Sequence, residues 1–316
     1  MQSAPRITVP AGLVDNHATM PEGEGGPEWI AGLPELAADF LDRWGLKVDG
    51  PGAHGAVALV LPVLREDSSP AALKLQPVTD ESAGEPHALR VWGGAGAVGL
   101  LAEDAETGTM LLERLDAGRS LMDVPDAEAA LLTLSELLGR LQQAPPPAGM
   151  RRLADVAAAM LAEVPDALPQ LGDPGERRLL ASCAAAVQDV VGEAGDRLLH
   201  WDLHYENVLA PLPGAGREPW LAIDPKPLVG DPAFDLLPAI GDRWDNVVAT
   251  GDVARAVRRR FDLMTEVLGL DRPRAVCWTL GRVLQNCLWD IADGEPALQP
   301  EQLAIARALS YGLSGS

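Results

Sequence analysis

The apolar positions along this chain change their rhythm once. Up to about residue 115 they come in short runs broken by Gly, Pro and Asp, the texture of strands with one or two helices. The runs at 57–64, 71–75 and 109–115 are the clearest strands. Ahead of them, residues 28–44 carry Trp29, Ile30, Leu33, Leu36, Phe40, Leu41 and Trp44 at helical intervals. After Gly118 the chain becomes Ala/Leu-rich with apolar residues three and four apart, which predicts helices over 126–143, 151–161 and 176–191, and later over 253–268, 273–292 and 300–311. Asp126 stands where the first of these needs an N-cap, and Pro145, Pro146 and Pro147 stop it; Asp173 or Gly175 opens the third. Between the two helical blocks lies a strand-rich island, 197–223, split by a Pro/Gly-rich turn at 211–219.

The pattern predicts an α+β chain of two lobes, a β-rich N-lobe over 1–115 and a mainly helical C-lobe over 116–316 with the polar island inside it. No internal repeat intervenes. At 316 residues, 47% hydrophobic and 22% charged, each lobe has the means to bury a core. The net charge of −21 argues against nucleic acid, which demands clustered Lys and Arg, and suits a cationic small molecule, although acidity also serves solubility alone. Cys183, Cys277 and Cys287 sit in apolar helical sequence and read as reduced core residues, and neither they nor the five histidines have metal-site spacing. The N-terminal MQSAPRITVPAGL lacks a signal-peptide pattern and no run is long enough to span a bilayer, so a cytoplasmic protein without a membrane partner is expected.

The island carries the chemistry. His200-Trp201-Asp202-Leu203-His204-Tyr205-Glu206-Asn207 has the spacing of a kinase catalytic loop, in which an Asp takes the proton of the attacking hydroxyl and an Asn five positions on offers an oxygen to magnesium. Seventeen residues later the apolar run Trp220-Leu221-Ala222-Ile223 ends in Asp224, a hard oxygen donor where a kinase holds its second metal ligand. Any one of these residues would serve as a turn cap; together, in this order, they predict Asp202 as catalytic base and Asn207 and Asp224 as metal ligands. Lys226, just beyond, is either a phosphate contact or a solvated charge.

HWDLHYEN followed by IDPKPLVGDPAFDL resembles the aminoglycoside phosphotransferase family, in its streptomycin 6-phosphotransferase and hydroxyurea phosphotransferase branch. Where the family usually reads His-Gly-Asp, Trp201 takes the Gly place. The resemblance implies a bilobal protein-kinase-like fold, ATP as co-substrate and Mg2+ as cofactor, with the three roles above unchanged. It also implies that Lys74 contacts the α- and β-phosphates, that Glu85 pairs with it, that Glu113 to Leu115 form an adenine-binding hinge, and that Asp235 supports the catalytic loop, with His200 and His204 organising it. The stretch 50–56 offers glycines for a phosphate-covering loop without matching a known Gly-rich signature. For the acceptor, Trp244, Asp245, Trp289 and Asp290, with Asn246, Gln285, Asn286 and Asp293, offer the carboxylates and indole faces that a polyhydroxylated cation needs. The expected activity is transfer of the γ-phosphoryl group to a hydroxyl of an aminocyclitol antibiotic such as streptomycin. The competing readings are a kinase for hydroxyurea, a sugar or another metabolite, and a nucleotide-binding pseudokinase.

Overall fold

A computed structural model describes residues 7–21 and 24–310. Residues 1–6 of the N-terminal segment, and Tyr311 at the end of the last expected helix, lie outside it. The chain forms two compact units. The described residues up to Ala117, with Ala210–Leu221, make the first; Gly118–Leu209 and the described residues from Ala222 on make the second. A single cut after 115 therefore has to be corrected. The loop Ala210–Leu221 leaves the second unit's sequence and counts with the first, because Arg217 at its tip donates hydrogen bonds to the Glu113 carboxylate and to the carbonyls of Gly94 and Ala97.

Unit 1 begins with α1 (Ala11–His17) and α2 (Pro27–Arg43), then β1 (Lys47–Val48), β2 (Ala53–His54), β3 (Leu59–Leu64), β4 (Pro70–Leu75), α3 (Glu85–Trp92), β5 (Leu100–Asp104), β6 (Thr109–Glu113) and β7 (Leu115–Ser120), whose end passes into unit 2. The antiparallel sheet runs β1-β3-β4-β6-β5, with β2 also on β3. Its strands alternate as period two requires: Leu59, Leu61 and Val63 turn inward from β3 and join Leu33, Ala37, Phe40 and Leu41 of α2 in one apolar cluster. Leu73 and Leu75 of β4 belong to the same cluster, while Lys74 between them turns to the other face.

Unit 2 holds α4 (Ala127–Leu141), α5 (Leu153–Ala167), α6 (Pro174–Val190), β8 (Arg197–Leu199), β11 (Leu228–Gly230), α7 (Leu236–Gly241), α8 (Trp244–Ala249), α9 (Val253–Leu268), α10 (Arg272–Ala292) and α11 (Pro300–Ser310), while β9 (Val208–Pro211) and β10 (Leu221–Ala222) are the strands on which the chain leaves it and returns. The side chains of Asp126 and Asp173 each accept two backbone N–H bonds as N-caps of α4 and α6, as the sequence predicts. Helix α10, buried along most of its length, packs against α5, α6 and α11. The antiparallel pair β11-β8, in which Leu199 faces Leu228, is set among these helices. That register lays the residues after β8 beside those before β11, and the polar island is built there. Among the described residues, no helix is long and apolar enough to cross a membrane.

Candidate active site

Strand β8 ends in two fully buried leucines, and the chain must then turn. The backbone N–H groups of His200 and Trp201 both donate to the Asp235 carboxylate, at 3.1 and 2.7 Å, and the Gln142 amide donates to it at 3.1 Å. Burial pushes the Asp235 carboxyl up to about 6, while the hydrogen bonds from Gln142, Trp201 and His200 pull it back. The turn leaves Trp201 at φ +67°, a left-handed conformation that explains why a glycine suits this place in the related pattern. The indole of Trp201 is buried, with the Arg151 guanidinium 4.5 Å and the Arg282 guanidinium 5.2 Å from the ring. Arg282 is also 5.1 Å from the ring of Trp289. These stacking contacts hold a bulky residue where the backbone alone favours none.

His200 stitches the loop to the next segment. Its Nδ1 accepts the Asp202 N–H at 3.4 Å, so Nε2–H donates to the Ile223 carbonyl at 3.1 Å, and its own carbonyl accepts the Lys226 N–H at 3.1 Å. Burial lowers this imidazole to about 4 despite the charges of Asp202 and Asp224, which fixes the neutral ring that the two bonds require. The Asn207 amide nitrogen donates to the Asp202 carbonyl at 2.9 Å, which orients the amide. The Ile223 N–H donates to the Asn207 carbonyl at 2.9 Å, so Asn207 and Asp224 stand at neighbouring chain segments, Asp224 at φ +56°. These hydrogen bonds bring the segments that carry Asp202, Asn207 and Asp224 together within unit 2, and Lys226 Nζ lies 3.2 Å from Asp202 Oδ2.

Asp202 also lines a cavity of about 360 Å³ inside unit 2, with His204, Asp242, Asn286, Gln299 and Glu301 among its walls. Asp242 accepts the backbone N–H groups of Tyr205 and Arg243, and its carboxylate lies 3.7 Å from His204 Nδ1. Burial alone would raise Asp242; the bonds from His204, Arg243 and Tyr205 outweigh it and hold the carboxyl below its usual value. Burial would lower His204, but Asp242 and Asp202 outweigh that and raise it. Arg282 lines the same cavity, its guanidinium engaged by Gln285 and Asn286 as well as by the indoles. Of the acceptor-site residues expected from sequence, Asn286 reaches the cavity wall. Trp244 and Asp245 start α8 and are not among its lining, Trp289 packs on Arg282, and Asp290 is half-buried beside Asp293 and Glu295 with its carboxyl raised by burial first and by those charges second. No sequence motif marks Asp242, Gln299 or Glu301. Asp242 follows α7 and Gln299 and Glu301 open α11, far apart in the chain and in no shared motif.

In unit 1, Lys74 Nζ donates to both Glu85 carboxylate oxygens at 2.8 Å, and the Gln76 amide donates to Glu85 Oε2 at 2.6 Å, all three residues being buried. The alternation of β4 aims Lys74 at the first turn of α3, where Glu85 also gains from the helix dipole. The Glu113 N–H is taken by the Gly99 carbonyl at 2.7 Å, and its carboxylate accepts Gly99 N–H at 3.0 Å and the Arg217 guanidinium. Leu115 is buried at the start of β7. Arg217 is a contact that sequence reasoning missed, since it sits in what reads as a plain turn. Residues 50–56 contain β2, folded back on β3 by the pairing of Ala53 with Val60.

A divalent ion would find one carboxylate and one amide oxygen in Asn207 and Asp224. That set is too small for a protein-only cage, but it fits an ion like magnesium, which keeps waters and takes phosphate oxygens for the rest. Among the described residues no group of three or more His, Cys, Asp or Glu forms a metal cage.

A sheet-rich unit with a buried lysine–glutamate pair, joined in sequence to a helical unit with this loop, is the architecture of the protein-kinase-like phosphotransferases. A solved aminoglycoside phosphotransferase, a thermostable mutant in ternary complex with ADP and hygromycin B, has the same fold: TM-score 0.57 at 16% identity over 85% of this chain and 97% of that one. The sequence model of the aminoglycoside/hydroxyurea antibiotic resistance kinases matches residues 43–294. A streptomycin 6-kinase of Streptomyces glaucescens is 55% identical over 98% of this chain and 99% of its own length, and a hydroxyurea phosphotransferase of Kitasatospora aureofaciens is 54% identical over 96% and 86%. The chain belongs to the aminoglycoside/hydroxyurea antibiotic resistance kinase family.

Proposed function

We propose that this kinase transfers the γ-phosphoryl group of ATP to the 6-hydroxyl of streptomycin, and so confers resistance to it. The observation that carries the reading is the position of Asp202 on the wall of a cavity that also presents Asp242 and Glu301, a hydroxyl-activating carboxylate among acidic neighbours. Near-full-length similarity to streptomycin 6-kinases supports the acceptor and the hydroxyl. In this reading Asp202 accepts the hydroxyl proton as the oxygen attacks the γ-phosphorus. Asn207 and Asp224 would hold Mg2+, which when bound supplies neutralisation of phosphate charge. Lys74, oriented by Glu85, steadies the α- and β-phosphates, and the backbone about Glu113 and Leu115 receives the adenine. Asp235 and neutral His200 keep the base in place through the loop's backbone, and His204 with Asp242 shapes the acceptor side.

A second reading, phosphorylation of hydroxyurea, rests on the comparable similarity to the hydroxyurea phosphotransferase. The cavity favours streptomycin, because its carboxylates match guanidinium groups that hydroxyurea lacks. The test is ADP release with Mg·ATP and each acceptor, with the product identified by phosphorus NMR. Streptomycin 6-phosphate is expected, and Asp202→Ala should lower turnover by roughly 10²–10⁴-fold. Turnover of hydroxyurea with none of streptomycin would overturn the acceptor, and near-normal turnover by Asp202→Ala would overturn the base.

A further inference from the structure

The geometry points to Lys226 as a further catalytic residue, one that hydrogen-bonds a non-bridging oxygen of the γ-phosphoryl group during transfer. The inference rests on the proposed phosphoryl transfer at Asp202 and does not depend on which acceptor is used.

Its basis is a fixed root and a movable head. The Lys226 N–H is bonded to the His200 carbonyl at 3.1 Å, its neighbours are Pro225 and Pro227, and Asp224 two residues before it is the proposed ion ligand. The backbone is therefore held against the catalytic loop, and proline on both sides restricts it further. The ammonium group itself lies 3.2 Å from Asp202 Oδ2, with 37% of the Lys226 side chain and 24% of the Asp202 side chain exposed. An ion pair so open to water contributes little to stability. Its geometry, on the other hand, matters to the reaction. A hydroxyl activated by Asp202 lies within about 3 Å of the carboxylate, and its oxygen approaches the γ-phosphorus to about 3–3.5 Å before attack. Nζ already stands at the carboxylate end of that short path, and rotation about the flexible lysine stem carries it to the phosphoryl oxygens.

In the reaction, a lone pair of the acceptor oxygen forms the new bond to the γ-phosphorus. The bond from phosphorus to the β,γ-bridging oxygen breaks, its electron pair remaining on ADP, and the hydroxyl proton passes to Asp202. Lys226 donates a hydrogen bond to the transferring group without giving up its proton. Before nucleotide arrives, the same ammonium neutralises the Asp202 carboxylate. Phosphate charge draws it away and leaves the carboxylate to the acceptor.

The experiment compares wild type with Lys226→Ala, Lys226→Met and Lys226→Arg, using Mg·ATP and Mg·ATPγS. Removing one such donor should lower kcat about 100-fold, with the KM values for ATP and acceptor within about threefold. The ratio of ATP to ATPγS rates should shrink, because the sulfur replaces an oxygen that the lysine no longer contacts. Lys226→Arg should recover part of the loss, and thermal midpoints should stay near wild type. A kcat within threefold of wild type in Ala and Met variants would overturn the inference. So would a fall in kcat that leaves the ATP to ATPγS ratio unchanged, the mark of a structural role. If Lys226→Ala fails to fold, Lys226→Met answers the same question. If wild type does not phosphorylate streptomycin, the ratio is read with hydroxyurea or from ATP hydrolysis without acceptor: a lysine effect there sustains the inference while the acceptor assignment fails. A wild type silent in all three has no transfer for Lys226 to assist and overturns it.

Discussion

Trp201 is a residue whose side chain and backbone pull in opposite directions. Its φ of +67° is unfavourable for any residue with a Cβ, by about 1–2 kcal/mol. Its buried indole, in contact with two guanidinium groups, is worth more, since truncating a core aromatic costs about 3–5 kcal/mol. Packing wins. Trp201→Gly is therefore expected to destabilise the protein by about 3 kcal/mol even though glycine suits the turn, as measured by urea unfolding. Equal or greater stability in the variant would show that the indole stack contributes less than the backbone strain. Arg282 shares the indole and lines the cavity beside Asp202; if that cavity holds the acceptor, as proposed, the same variant should also raise the KM for acceptor more than that for ATP.

At the scale of elements, the loop 200–207 is held by what flanks it. β8 delivers it, Asp235 ahead of α7 receives its N–H groups, and His200 joins it to the segment after β10. Two titrations in this joint oppose each other. Buried His200 falls to about 4 from an ordinary 6.5, so the unfolded chain binds the extra proton between these values. Its contribution is complete above pH 6.5 and is lost as pH drops to 4, about 3 kcal/mol in all. Asp235 rises to about 6 from 3.8, so the folded chain holds the extra proton in that window and stability declines as pH climbs through it, by a similar amount. Between about pH 4 and 6 the two nearly cancel. His200→Asn keeps an acceptor and a donor but removes one of the pair. Its deficit relative to wild type is expected to shrink by about 2 kcal/mol between pH 7 and pH 5, measured by urea unfolding at each pH. A deficit independent of pH would mean that burial does not hold the His200 imidazole below its ordinary value.

For the whole molecule, the net charge of −21 bears on encounter with the acceptor. If the acceptor is cationic, the protein's field concentrates it near the acidic cavity, and added salt weakens that attraction as the screening length drops from about 10 Å at 0.1 M toward 3 Å at 1 M. Raising ionic strength from 0.05 to 0.5 M should increase the KM for streptomycin roughly three- to tenfold, with kcat little changed. A flat KM would reduce the acidity to a matter of solubility.

What the sequence determined by itself is local. Helices α2, α4, α6, α9, α10 and α11 and strands β3, β4 and β6 were legible because one stripe or one face of each is apolar, and periodicity carries that information within a dozen residues. The loop His200 to Asn207 and the strand-end Asp224 were legible because their spacing lies within short stretches. The short α1, α7 and α8, and β1 and β2 with two residues each, left no such trace. Only the tertiary structure decided which distant residues meet: Asp242 and Glu301 at the cavity beside Asp202, Arg217 on Glu113, Arg151 and Arg282 on Trp201, and Lys226 on Asp202. These contacts arise from packing of elements far apart in the chain, and a single sequence carries the period of each element but not the partner against which it folds.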